Sequence, residues 1–203
     1  MCNCGELQNL NRKYVRRQLR LNPDNGQERF NNCLVFRLKL YNLRDPLLSF
    51  IERKFNGLIR LHRLRHESRE VLLERILGNV RTHLVGLNSQ DIVFIKEEGE
   101  RRKRFIQRLV RNQVDVNWKI LASFYTGNFL FRKDVFNVED ESDTKDLLEV
   151  LKNCCLFEQE LYDLATIIIR YRNKYYAHIP ELFIRTRQLQ ILETSIQELE
   201  HRI

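Results

Sequence analysis

The residues of this chain best suited to chemistry are Arg172, Asn173 and His178, in the run Arg172-Asn173-Lys174-Tyr175-Tyr176-Ala177-His178 just ahead of Pro180. An imidazole titrates near neutral pH, so His178 can give or take a proton. A guanidinium stabilises developing negative charge through two parallel hydrogen bonds, which suits Arg172 to an anionic transition state. Asn173 adds an amide able to orient either partner. The same three side chains also fit a quieter role, in which buried hydrogen bonds hold helices together.

The element that must position them is the stretch from Leu156 to Pro180. Its apolar residues recur at alternating four- and three-residue intervals, so Phe157, Leu161, Leu164, Ile168, Tyr171, Tyr175 and His178 share one seam of a helix. Arg172 flanks that seam. Ile179 precedes Pro180 and is biased away from helix, so the helix is expected to end near His178. A helix C-terminus favours the protonated imidazole. Five residues separate Arg172 from His178, which sets the two side chains about 120° apart on an ideal helix; convergence requires the helix end to unwind. Before this stretch, KDLLEVLKNCC predicts a short helix capped by Ser142 or Asp143. After it, PELFIRTRQLQILETSIQELEHRI predicts a last amphipathic helix on Leu182, Leu189, Leu192, Ile196 and Leu199.

Composition bounds the rest. A chain of 203 residues with 43% hydrophobic content has enough apolar material for a sizeable core. Only 7 Gly and 3 Pro argue against a turn-rich sandwich or barrel, and the long periodic segments predict an all-α helical bundle. Lys plus Arg outnumber Asp plus Glu by 35 to 27, a net charge of +8 that suits nucleic acid or another anionic partner. No run of apolar residues is long enough for a membrane span, and MCNCGELQNLNRKYVRR lacks the apolar region of a signal peptide. Five Cys, an odd number without a secretion signal, read as reduced thiols in the cytoplasm or nucleus. Cys2-x-Cys4 is too short and isolated for a zinc site and reads as two thiols on a frayed terminus. No metal or cofactor is expected.

Residues 1–28 form a basic N-terminal arm that breaks at Asn22-Pro23-Asp24-Asn25-Gly26, a turn signal. Residues 29–128 form a helical region. Its first helix is expected to bury Phe30, Cys33, Leu34, Leu38 and Tyr41, and Asp45-Pro46 to start a second helix as N-cap and first helical residue. That second helix carries Leu47, Leu48, Ile51, Phe55 and Leu58. His62 and His66, four apart on one helical face, read as solvated rather than as zinc ligands. Ser68 caps a helix on Leu72, Leu73, Ile76, Val80 and Leu84, and 92–95 is a short strand or extended connection. Lys96, Arg101, Arg102, Lys103, Arg104, Arg108 and Arg111 make the densest basic run. With Phe105, Ile106, Leu109 and Val110 on its other side, that run is an amphipathic helix, its cationic face either contacting phosphate or simply solvated. Trp118 reads as a core anchor. Residues 129–146 are acidic and open the C-terminal unit, 129–203.

The Arg172–His178 run resembles the signature of the HEPN (higher eukaryotes and prokaryotes nucleotide-binding) superfamily: Arg, a polar residue, a few variable residues and His. NNCLVFRLKLYNLRDPLLSFIERKFNGL, the DVNW element, and the block from Glu141 to RNKYYAH are similar to an uncharacterised animal HEPN family. The resemblance implies a helical bundle that dimerises to face two Arg–His motifs across one cleft, and, in active members, metal-independent endoribonuclease activity. On that footing His178 would be base or acid for the phosphodiester, with the second copy's His in the other role. Arg172 would stabilise the phosphorane and Asn173 would orient phosphate or imidazole. Lys174, with the basic face of Arg101, Arg102, Lys103, Arg104, Arg108 and Arg111, would hold a single-stranded RNA backbone. Tyr175 or Tyr176 would stack on a base. The alternatives are RNA binding without cleavage, a non-catalytic HEPN scaffold for protein–protein interaction, and a basic adaptor for acidic proteins.

Overall fold

One long helix dominates the computed structural model, which describes residues 26–79, 100, 103–104, 107–108, 110–112, 116–125, 144–175 and 184–203. This helix, α1 (Gly26–Leu64), is followed by α2 (Arg69–Gly78), α3 (Trp118–Ser123), α4 (Thr144–Asn153), α5 (Gln159–Tyr175) and α6 (Thr186–Arg202). Residues 100, 103–104, 107–108 and 110–111 are also helical. There is no strand among the described residues. The fold is an all-α bundle.

Helix α1 packs against α4 and α6, and α5 packs against both of those, so the four close a ring around one core. Helix α3 adds to the flank of α1. The core is continuous through all six helices, and its centre is aromatic. Phe55 stacks on Tyr125 with ring centres 5.8 Å apart, and its edge meets Phe157 at 6.1 Å. The Tyr125 hydroxyl donates to the Ile76 carbonyl at 3.0 Å, and Asn153 Nδ2 donates to the Tyr125 carbonyl at 2.7 Å. Two hydrogen bonds thus fix one fully buried residue, its hydroxyl to α2 and its backbone to the end of α4.

Helix α1 departs from expectation in two ways. Asp45-Pro46 does not start a helix: Pro46 lies inside α1, and the helix is unbroken from Gly26. The buried stripe explains why. Cys33, Phe36, Leu40, Leu43, Leu47, Ile51, Phe55 and Ile59 are all buried, and the four-residue step from Leu43 to Leu47 keeps phase straight through the proline. Helix packing outweighs the lost backbone bond. That same stripe displaces the expected one. Leu34, Leu38 and Tyr41 are 47%, 60% and 74% exposed, on a different face from the core.

The end of α1 corrects a third expectation. His66 has φ 51°, past the last helical residue, so His62 and His66 share no helical face. The His66 amide donates to Arg63 O and the Glu67 amide to His62 O, the paired bonds of a Schellman ending with His in the place glycine usually takes. The reversal carries Glu67 back to His62, which is buried rather than solvated. Glu67 Oε2 lies 3.1 Å from His62 Nδ1, and Glu67 Oε1 accepts from Arg75 at 2.9 Å. Chiefly through Arg75, the Glu67 carboxyl is held below its ordinary pKa. Helix α2 starts at Arg69, directly after Ser68, with Leu72, Leu73 and Ile76 buried as expected; Val80, Leu84 and 92–95 lie outside the described residues.

Trp118 is half-buried and packs against the core, beside the fully buried Leu121, Phe124 and Tyr125 of the same segment. Asn117 caps α3, its side chain accepting from the Ile120 amide at 3.0 Å. Residues 142–143, where a cap for α4 was expected, lie outside the described residues. Thr144 Oγ1 is buried and donates to Leu40 O at 2.9 Å, tying α4 to α1.

Candidate functional site

Helix α5 carries the motif because its buried side is continuous. Phe157, Leu161, Leu164 and Ile168 are buried as the seam requires, and Tyr171 packs half-buried against the core. Ala165 and Ile169 are buried too, so the buried arc is two rows wide. Arg172 lies three residues past Ile169 and seven past Ala165, so it extends the inner row instead of merely flanking the outer one.

Arg172 and Asn173 are both half-buried, and Arg172 Nη1 donates to Asn173 Oδ1 over a long 3.5 Å. An amide oxygen beside a guanidinium limits its rotation. Lys174 follows, exposed. Tyr175 is the last residue of α5. His178 and Tyr176 lie outside the described residues, as does the side chain of Tyr175. The structure therefore brings Arg172, Asn173 and Lys174 together on one helical turn.

The segment after the motif is anchored to the start of α1. Ile184 is buried, its amide donates to Arg29 O at 3.3 Å, and its carbonyl accepts from Asn32 Nδ2 at 3.1 Å. Thr186 Oγ1 bonds to Glu28. Arg185 is extended, so α6 begins at Thr186, later than the expected start at Pro180; Leu182 lies outside the described residues. Gln188 Oε1 reaches back to accept from the Arg185 amide at 3.3 Å. Farther along, Lys39 pairs with Glu193 at 3.4 Å and Arg53 Nη2 donates to Ile203 O at 2.7 Å, so α1 and α6 run side by side in the same direction.

Of the expected basic face, Lys103, Arg104, Arg108 and Arg111 are helical and exposed, while Val110 packs half-buried on the core. Arg104, Arg108 and Arg111, spaced four and three apart, form one cationic stripe. Arg101 and Arg102 lie outside the described residues. Among the described residues, no group of three His, Cys, Asp or Glu side chains is arranged to hold a metal ion, and no helix is long and apolar enough to cross a membrane. Cys33 and Cys154 are buried thiols and Cys155 is exposed; Cys2 and Cys4 lie outside the described residues. Burial pushes the Cys33 thiol above its ordinary pKa, against the pull of Arg37.

Sequence reasoning passed over a second cationic region, built from Arg53, Arg60 and Arg63 of α1 with Arg69 of α2. Its signal was present as arginines at seven- and three-residue spacing in RKFNGLIRLHRLR. No family model matches the chain, and neither a curated protein nor a solved structure does.

Proposed function

We infer that this protein acts on single-stranded RNA as a HEPN-type, metal-independent endoribonuclease, with Arg172 and His178 as its phosphodiester-cleaving pair in a dimeric cleft. The observation that carries the reading is the last turn of α5, where Arg172 and Asn173 sit half-buried side by side with Lys174 exposed beside them. A guanidinium restrained at the rim of a core keeps its charge and loses little freedom when it meets a phosphate. His178 supplies proton transfer, and a second copy supplies the complementary His. The exposed row Leu34, Leu38 and Tyr41 supports the dimer, because solvent-facing apolar rows of this kind mark interaction surfaces. It begins within two turns of the part of α1 that holds Ile184, just after the motif.

The test is incubation of purified protein with single-stranded RNA and a chelator. Cleavage is expected, falling by about 10²–10⁴-fold in His178→Ala, the range for loss of a general acid or base. Intact RNA at high protein concentration would sink the reading. The half-burial of Arg172 also favours a second one, a non-catalytic helical scaffold. Under it, Arg172→Ala lowers the melting temperature of a protein that never cleaved RNA.

A further inference from the structure

A trough runs along the C-terminal half of α1. Three concavities of about 480, 390 and 250 Å³ form it. The first two share Asn56 and Arg60, and the last two share Ile59, Arg63 and Val116, so the three are continuous. Its floor is apolar, from Ile59, Leu72 and Val116, and its rims are Arg60 and Arg63 on one side and Asn117 at the start of α3 on the other. Arg53 lies at one end and Arg69 at the other. From Arg29, where α1 meets Ile184, to Asn56 is about 40 Å along the helix. Among the described residues, the trough shares none with the Arg172–His178 site or with the basic face of 101–111.

Three observations say what it holds. First, its cations are all arginines, and those at 53, 60 and 63 span about 15 Å of helix, Arg53 at the end also donating through Nη2 to Ile203 O. That row is too long for one small anion and suits successive phosphates of a strand, which guanidinium groups grip with paired bonds. Second, the charge at the middle of the trough is not cancelled locally. Arg60 and Arg63 form no ion pair among the described residues, Arg69 is partly offset by Glu70, and Glu67 at the rim is already engaged by Arg75, His62 and Arg65. Glu52 is the other carboxylate of the lining, at the Arg53 end. Third, Gly57 lies in the trough, inside α1, where glycine is the poorest helix former after proline. A Cβ there would meet nothing within 4 Å, so no internal contact of the protein demands glycine. A bare backbone at that point lets a ligand approach closely.

We propose that this trough binds the sugar–phosphate backbone of single-stranded RNA, as a holding surface separate from the cleaving pair. Arg60 and Arg63 contact phosphates, and Asn56 and Asn117 offer amides to base edges or 2′-hydroxyls. A strand bearing charge at every unit beside polar edges fits arginines interleaved with amides better than an acidic peptide does. The proposal takes from the proposed function only that the polyanion is RNA.

Binding of a labelled oligouridylate to the full chain, followed by fluorescence anisotropy across a salt series, tests it. The double variant Arg60→Gln/Arg63→Gln is expected to bind roughly tenfold more weakly, and the slope of log affinity against log salt to flatten by about 1.4, since each phosphate contact on a single strand contributes about 0.7. Gly57→Glu points a carboxylate into open space and is expected to weaken binding with helix content unchanged by circular dichroism. Arg187→Gln, exposed on α6 and absent from the trough lining, is expected to bind as wild type. Unchanged affinity and slope in both trough variants overturn the proposal, as does a loss of polyglutamate binding with RNA affinity intact. His178→Ala separates the two readings: if it abolishes cleavage while the trough variants still bind normally, the trough fails and the cleaving site stands. If His178→Ala binds normally and the trough variants do not, the trough stands whether or not the protein cleaves.

Discussion

Replacing Pro46 by Ala should stabilise this protein. Proline inside a helix lacks the amide that would bond to the carbonyl four residues earlier, here Asn42, and its ring crowds that carbonyl. The cost relative to Ala is about 3 kcal/mol in a regular helix interior. Pro46 is exposed, so truncating it removes no core contact, and Leu43 and Leu47, one to either side, are fully buried and hold the helix in register. Helices commonly relax part of a proline's cost by bending, so the gain expected for Pro46→Ala is about 1–3 kcal/mol. For a chain of this size that is a rise on the order of 5 °C in melting temperature. Urea denaturation followed by circular dichroism measures it directly. The companion variant makes the test two-sided. Asp45 is 82% exposed and its Oδ1 accepts from Arg44 at 2.7 Å, so Asp45→Ala should change stability by less than about 0.5 kcal/mol. If Asp45 instead capped a new helix with Pro46 as its first residue, Asp45→Ala would cost about 1 kcal/mol and Pro46→Ala would bring no gain. That pair of results would refute the continuous helix.

Two further outcomes follow from single contacts. Tyr125→Phe removes one buried hydrogen bond but leaves Ile76 O accepting from the Asn79 amide, so the loss should be about 0.5–1.5 kcal/mol by urea midpoint; a loss above about 3 kcal/mol would mean that the hydroxyl does more than this bond. Glu67 has a lowered pKa when folded, so the unfolded chain binds the proton more readily, and the carboxylate's contribution is present above the ordinary carboxylate range and lost as pH falls through the folded value. Glu67→Gln should therefore be less stable than wild type at neutral pH, with the two curves converging between about pH 5 and pH 3. Parallel curves would show that the Arg75 and His62 contacts do not favour the ionised form.

The all-α architecture was legible because periodicity, scarce Gly and Pro, and long charged segments all agree. Helix α1 shows where that reasoning fails. Its first half carries two candidate stripes, Leu34–Leu38–Tyr41 and Cys33–Phe36–Leu40–Leu43, and both have helical spacing. Local pattern cannot rank them. What ranks them is continuity: only the second runs on in phase into Leu47, Ile51, Phe55 and Ile59, and a helix 39 residues long can bury only one unbroken side. Treating Asp45-Pro46 as a start signal cut the helix where the deciding information crossed. The same stripe extended by three residues reaches His62, so its burial could also have been read from phase. Its partner could not, because Glu67 returns only through the left-handed turn at His66, a conformation that His does not advertise.

The candidate site divides along the same line. Arg172 lies on a periodic element, so phase alone brings it to the edge of the core, and the burial of Ala165 and Ile169 sharpens its position from the flank of a seam to the end of an inner row. Position on that row has a chemical consequence. A guanidinium at the last turn of a buried row has an apolar wall on one side, which lowers the local dielectric and strengthens its hold on an arriving phosphate. The arginines of the α1 trough face the opposite regime: Arg60 and Arg63 are exposed, and their attraction is screened by salt. A strand held by both would show steep salt dependence in binding and weak salt dependence in the cleavage step once bound. Measuring cleavage at saturating RNA over a salt series separates the two: a rate constant that falls as steeply as the affinity would place the arginine proposed to cleave in open solvent, contrary to the half-buried position of Arg172 on α5.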